Sequence, residues 1–198
     1  MQGCDQMGRC DKCGKKCRDY GMVVLEKGLG EASENICGDC YNERISEEYD
    51  IEDFKDFIHE VTYTDCDGEL HHFLISKMIF PGAGVEWHAT ELLDNDIVGY
   101  SFEVIQKFDD DPRRAVAAIH EKVKRGLAHK FIKKKVNHGK AFLCLCNNTA
   151  EGRVESDNKR NIPRFVIDGK EYTYEQLGEI LLTYEGWNFK LEIKEPSK

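Results

Sequence analysis

Apolar residues alternate with polar ones through the middle of the chain and then change to helical spacing, and this change of period sets out most of the expected architecture. In 84–93, Val85, Trp87 and Ala89 alternate with Glu86, His88 and Thr90, and in 97–108 Tyr100, Phe102 and Val104 share one face. With 69–79 these make three runs, introduced and divided by Asp67-Gly68, Pro81-Gly82 and Asp94-Asn95-Asp96. An antiparallel meander over 69–108 is the economical reading, with a short helix before it around 51–58. Next, Ala115, Val116, Ile119, Val123 and Leu127 recur at helical spacing behind Asp111 as cap and Pro112 at the first position. This predicts a helix over 112–128 whose stripe covers the sheet. Past Leu127 the phase slips: Phe131, Ile132 and Val136 leave the stripe and Lys133-Lys134-Lys135 interrupts it, so a bend is expected near 128–130.

The last third repeats strands followed by a helix. A buried strand is expected over 141–146, a short one near Arg153-Val154-Glu155, and a hairpin through Asp168-Gly169 joining 164–167 to 170–172. Thr173 and Gln176 have the spacing of a capping box, and Leu177, Ile180, Leu181 and Tyr184 form the apolar face of the helix that follows. Gly178 inside it implies a closely packed neighbour, since glycine there costs about 1 kcal/mol against alanine. Beyond Glu185-Gly186 the alternation over 187–193 predicts a final strand, completing a strand-helix-strand unit over 163–193. The stretches 165–171, 175–178 and 185–193 are similar to the end of an uncharacterised bacterial family whose members also carry a cysteine-rich N-terminal finger. That resemblance implies shared architecture and no assigned activity.

Chemistry enters at the other end. Cys10-Asp11-Lys12-Cys13 and Cys37-Gly38-Asp39-Cys40 form two CxxC pairs, and two such pairs complete a tetrahedral four-sulfur shell for one zinc ion. Gly14 follows the first pair, where the turn needs positive φ. Lys12, Lys15, Lys16 and Arg18 would offset thiolate charge. Between the pairs, 22–36 reads as a β-hairpin turning at Gly28-Leu29-Gly30, and 41–49 reads as a helix with Tyr41, Ile45 and Tyr49 on one face. Knuckle, hairpin and helix in that order resemble a treble-clef zinc finger over 10–49. The likeness extends to the zinc-binding domain of the X-type Clp unfoldase, where a CxxC with a following glycine precedes an Ile-Cys-x-x-Cys entering an acidic helix. The spacer is longer here, and nothing downstream resembles an ATPase. The resemblance implies a docking or dimerisation module. Cys4 and Cys17 are too few for a second site, and Cys66, Cys144 and Cys146 read as buried free thiols.

Composition narrows the class. The chain has 198 residues and a net charge of -9, and the charge is segregated: residues 51–111 carry -12, whereas 112–140 carry +9. Such a basic element can lie across the acidic sheet of its own domain or of a second copy, which an acidic total favours over a phosphate backbone. The competing reading is a nucleic-acid regulator using the basic helix 113–135, with Arg113, Arg114, Lys124, Arg125, Lys133, Lys134 and Lys135 as its contact surface. No run approaches the ~20 apolar residues of a membrane span. The polar start Met1-Gln2-Gly3-Cys4-Asp5 lacks the pattern of a signal peptide, and nine cysteines with zinc spacing in four favour a reducing compartment. A cytoplasmic location without a membrane partner is expected.

No motif for nucleophilic catalysis or phosphate binding occurs. His71, His72 and His88 fall on candidate neighbouring strands with Glu86 and Glu91, but His71 and His72 face opposite ways, which leaves a metal-dependent enzyme the third reading. The fold class expected is α+β: a treble-clef module at 1–50, then a domain at 51–198 of antiparallel sheet with two main helices. The leading functional expectation is a zinc-binding interaction or adaptor protein acting on a protein partner or as a homo-oligomer.

Overall fold

The computed structural model describes residues 7–18, 21–26, 32–51, 54, 57–93, 99–157 and 162–194. The fold is α+β, with three helices and antiparallel sheets throughout the described residues. Cys4 and the turn at Gly28-Leu29-Gly30 lie outside the described residues, and the helix expected around 51–58 falls in good part on residues that do too. At its far end Ile58 opens a strand.

The N-terminal unit begins with two short antiparallel strands, β1 (Met7–Arg9) and β2 (Lys16–Arg18), around the first cysteine pair. A hairpin of β3 (Met22–Leu25) and β4 (Glu34–Cys37) leads directly into helix α1 (Gly38–Glu48). Ile45 is buried on α1 and Tyr41 half-buried, but Tyr49 lies just past the helix and is exposed, so the expected three-residue face stops at Ile45. Asn42 takes the buried place instead. Its side-chain amide donates to the Lys77 carbonyl at 3.2 Å, and its Oδ1 accepts from the Ile79 amide at 3.0 Å.

The central unit is a four-stranded meander of β5 (Ile58–Thr64), β6 (Leu70–Phe80), β7 (Gly84–Glu91) and β8 (Ser101–Gln106) in sequential order. Strand β5 was not expected; its half-buried Val61 and Tyr63 alternate with exposed threonines, but too briefly to stand out. It pairs with β6 only from Ser76 toward Leu70, so Lys77 and Ile79 lie beyond its reach, and Asn42 supplies hydrogen bonds there. Phe73, Ile75, Val85, Trp87 and Ala89 fill one face of the sheet. Helix α2 (Pro112–Leu127) covers that face with Ala115, Ile119, Val123 and Leu127, all buried, and Asp111 caps its first turn through the Arg113 amide. Each larger member of the stripe contributes about 1.5–3 kcal/mol by leaving water.

The basic segment 113–135 is not one helix. α2 ends at Leu127, and residues 132–137 form a strand, because Ile132, Lys134 and Val136 alternate with Lys133 and Lys135 at a period of two. This strand, β9 (Ile132–Asn137), makes a hairpin with β10 (Lys140–Leu145). A second sheet contains β11 (Arg153–Asp157), β12 (Ile162–Ile167) and β13 (Lys170–Tyr172), followed by helix α3 (Tyr174–Leu182). The capping box forms as the sequence implies: the Thr173 hydroxyl accepts from the Gln176 amide, and the Gln176 side chain accepts from the Thr173 amide. The core here is small, with Ile167, Tyr172 and Ile180 at its centre. Gly178 faces open space rather than a close neighbour, and Leu181 is exposed, so the sequence-based explanation of that glycine fails. The strand expected over 187–193 is also absent. These residues follow α3 without backbone pairing to any described residue.

Candidate metal centre

Four sulfurs converge between the two halves of the N-terminal unit. Cys10, Cys13, Cys37 and Cys40 each offer an Sγ atom, and these atoms all lie within 4.8 Å of one another. The Cys13 and Cys37 sulfurs are 3.7 Å apart. A tetrahedral shell with metal–sulfur bonds of about 2.3 Å has an edge of about 3.8 Å, so this spacing suits a shared ion. Cys10, Cys37 and Cys40 are buried, whereas Cys13 is exposed.

Local backbone geometry builds each half. Gly14, at φ +73°, lets the chain fold back after Cys13 so that its amide donates to the Cys10 carbonyl at 2.9 Å. The Cys10 sulfur accepts from the amides of Cys13 at 3.4 Å and Cys37 at 3.3 Å. Cys37 is the N-cap of α1 and Cys40 lies in its first turn, where unpaired amides and the helix dipole favour negative sulfur. Asp11 joins the halves: its amide donates to the Asn35 carbonyl and its carboxylate accepts from the Asn35 amide, both at 2.8 Å. Ion pairs from Lys12 to Glu43 at 2.8 Å and Lys15 to Asp39 at 2.9 Å span the same seam.

Thiol acidity is divided among the four. Burial pushes Cys10 up, but the amide donors of Cys13, Cys37 and Lys12 outweigh it and bring the thiol down to about 6. Cys40 is driven well above the ordinary thiol range by burial first and then by its sulfur neighbours, and burial likewise raises Cys37. Four adjacent thiolates repel one another without a cation between them, so a divalent ion is the natural complement of this donor set. Cys17 is half-buried beside the cluster but is not one of the four converging residues. Cys66 is exposed, correcting the expectation that all three remaining cysteines are buried; Cys144 is buried and Cys146 half-buried.

The histidines separate. His88 lies 3.1 Å from Glu86 on one face of the sheet, and His72 meets Thr62 on that same outward side. His71 points into the opposite face, with Nδ1 2.5 Å from Glu91 and Nε2 3.1 Å from Asp65. Asp65, Glu69 and His71 thus form a second close group of potential ligands. Here Lys130 stands where a cation would go: its ammonium lies 2.7 Å from Asp65 and donates to the Tyr100 hydroxyl at 3.3 Å. The Asp65 side chain is 0% exposed and also accepts from the amides of Asp67 and Glu69, both at 2.9 Å. Burial would raise its carboxyl, but Lys130, those amides and His71 hold it well below the usual carboxylate range. Burial would lower Lys130, and Asp65 and Tyr100 hold it above the usual lysine range. Tyr100 is pushed up to about 12, chiefly by burial. This is a buried, hydrogen-bonded ion cluster; the sequence places His71 near Glu91, but Tyr100 and Lys130 join them only through the meander and the link after α2.

Of the basic residues, Arg113, Arg114, Lys124 and Arg125 are exposed on α2, and Lys133, Lys134 and Lys135 are exposed on the two faces of β9. Lys122 reaches inward to the Glu103 carbonyl at 2.7 Å, so part of the positive charge is spent on the chain's own acidic sheet.

Three family models match successive segments of the chain. Residues 9–52 are similar to Domain of unknown function (DUF7685), 55–128 to Domain of unknown function (DUF7686) and 131–198 to Domain of unknown function (DUF7713). No curated protein and no solved structure matches it. Among the described residues, no helix is long and apolar enough to cross a membrane.

Proposed function

We propose that Cys10, Cys13, Cys37 and Cys40 bind one structural zinc ion in a treble-clef module, and that the module is a docking element for a protein partner. The observation that carries the zinc reading is the 3.7 Å sulfur spacing within a group of four converging cysteines, three of them buried. All-thiolate ligation favours zinc over hard cations, and four protein ligands leave no open position for catalysis. A unit of this size buries too little core to stand alone, and the ion supplies the missing stability. Docking is supported by the resemblance to treble-clef fingers and by Val24 and Tyr49, large apolar side chains left exposed on the module.

Elemental analysis of the purified chain is expected to give about one zinc per molecule. Cys37→Ser is expected to release it and to unfold the first fifty residues while the sheet under α2 keeps its structure, read by hydrogen exchange. Affinity capture from the native host with both forms tests docking. A metal-free native protein refutes the first half of the reading, and a partner retained equally by Cys37→Ser refutes the second.

A further inference from the structure

The segment 187–193 has the binary pattern of a strand and the surroundings of none. Trp187, Phe189, Leu191 and Ile193 alternate with Asn188, Lys190 and Glu192. The four apolar residues are 64, 88, 75 and 75% exposed. Among the described residues, no backbone hydrogen bond reaches 188–194, and the ring of Trp187 meets only Tyr184, edge to face at 5.6 Å. With about 150–250 Å² for a fully exposed aromatic side chain, this arm presents on the order of 600 Å² of apolar surface, the upper end for a patch on a monomer.

An edge that fits it exists on β10. The β9–β10 hairpin turns through His138 and Gly139, both at positive φ, so Asn137 and Lys140 form the closing hydrogen-bonded pair. Ladder alternation then directs the N–H and C=O groups of Ala141, Leu143 and Leu145 away from β9. The Tyr184 hydroxyl meets those of Leu145, at 3.1 Å from its nitrogen and 3.3 Å from its oxygen. Ala141 and Leu143 are left with an open edge, and on the same face of the hairpin Leu143 and Val136 expose apolar side chains.

We infer that residues 187–193 are an exchanged strand, which pairs antiparallel with the open edge of β10 in a second copy of this chain. The arm stands clear of its own body, and each copy carries both an arm and an edge, so reciprocal exchange closes a two-fold dimer. With Phe189 opposite Leu143, Leu191 falls opposite Ala141 and all apolar side chains join the face of Leu143 and Val136. The same register sets Glu192, now held between Lys190 and Lys194, opposite Lys140. Two arms and their receiving faces bury roughly 2,000 Å² in total, which is within the range of stable protein interfaces.

Sedimentation equilibrium of the full chain, with hydrogen exchange on the same samples, tests this. The expected result is a dimer at about 100 µM with protected amides in 188–193, and at least about 100-fold weaker association for the double variant Phe189→Asp, Leu191→Asp. Both positions are exposed in the single chain, so the variant keeps its fold. Glu192→Lys and Lys140→Glu are each expected to weaken the dimer, and their combination to restore it. A monomer at that concentration overturns the proposal. So does a dimer indifferent to the arm variant, which would place the interface elsewhere, or protected arm amides in a monomer, which would mean the arm closes on its own β10.

Discussion

Replacing Lys130 with methionine keeps most of the side-chain volume and removes the ammonium placed on the Asp65 carboxylate, 2.7 Å away. Asp65 is wholly buried, so the variant leaves a carboxylate with two amides and His71 but without its main counter-charge. Breaking a buried pair from one side costs about 3–5 kcal/mol. The lower figure applies here, because three donors remain and Lys130 is partly reached by water. At about 2–4 °C per kcal/mol for a chain of this size, the melting midpoint should fall by about 6–12 °C. Urea unfolding in a Trp187→Phe background, where buried Trp87 reports on the sheet, measures the loss directly. The pair Lys130→Met and Asp65→Asn should together cost less than the sum of the two alone. The sign with pH follows from the depressed Asp65 carboxyl: it contributes stability above the unfolded-state value and loses it as pH falls through the lower folded value. Removing Lys130 weakens that depression, so the acid limb of the stability curve should move to higher pH. A loss under about 0.5 kcal/mol, the size of an exposed pair, with an unmoved acid limb, would refute the reasoning.

Two further changes test how the sheet is held. Gly84 has φ +132°, and a Cβ there would come 2.0 Å from the Gln106 carbonyl oxygen, so Gly84→Ala should cost at least about 1–3 kcal/mol by thermal unfolding. Equal stability would mean that β7 and β8 do not approach as described. Asn42→Ala removes the bridge to Lys77 and Ile79 and should cost about 1–3 kcal/mol, seen also as faster hydrogen exchange at the Ile79 amide. An unchanged Ile79 rate would show that α1 does not dock on β6.

What sequence conveyed depended on the range of the interaction. The cysteine spacing, the stripe of α2 and the Thr173–Gln176 capping box are patterns of spacing along the chain, and each could be read without knowing which elements pair. Strand β9 was obscured because three consecutive lysines masked the period of two that Ile132 and Val136 carry. Asn42 looked like any polar helix residue; only the shortness of β5 makes its amide necessary. The cluster around Asp65 draws on the ends of four strands and on the link after α2; Asp65, Glu69 and His71 are close in sequence, but Glu91, Tyr100 and Lys130 come from well beyond any local window. The arm at 187–193 was legible as a strand pattern, but pattern alone does not supply the edge.

Lys130 sits in the gap between the segments 55–128 and 131–198 that match separate families, yet its charge is committed to the first of them. The following residues are tied to the second, since the amides of Phe131 and Ile132 donate to the Asp168 carboxylate at 2.8–3.0 Å. Cutting the chain between the two matched segments therefore strips a buried anion in the β5–β6 turn of its cation or leaves that lysine dangling from the wrong fragment. The joint makes segments that match separate family models into poor candidates for separate expression or for exchange with unrelated partners.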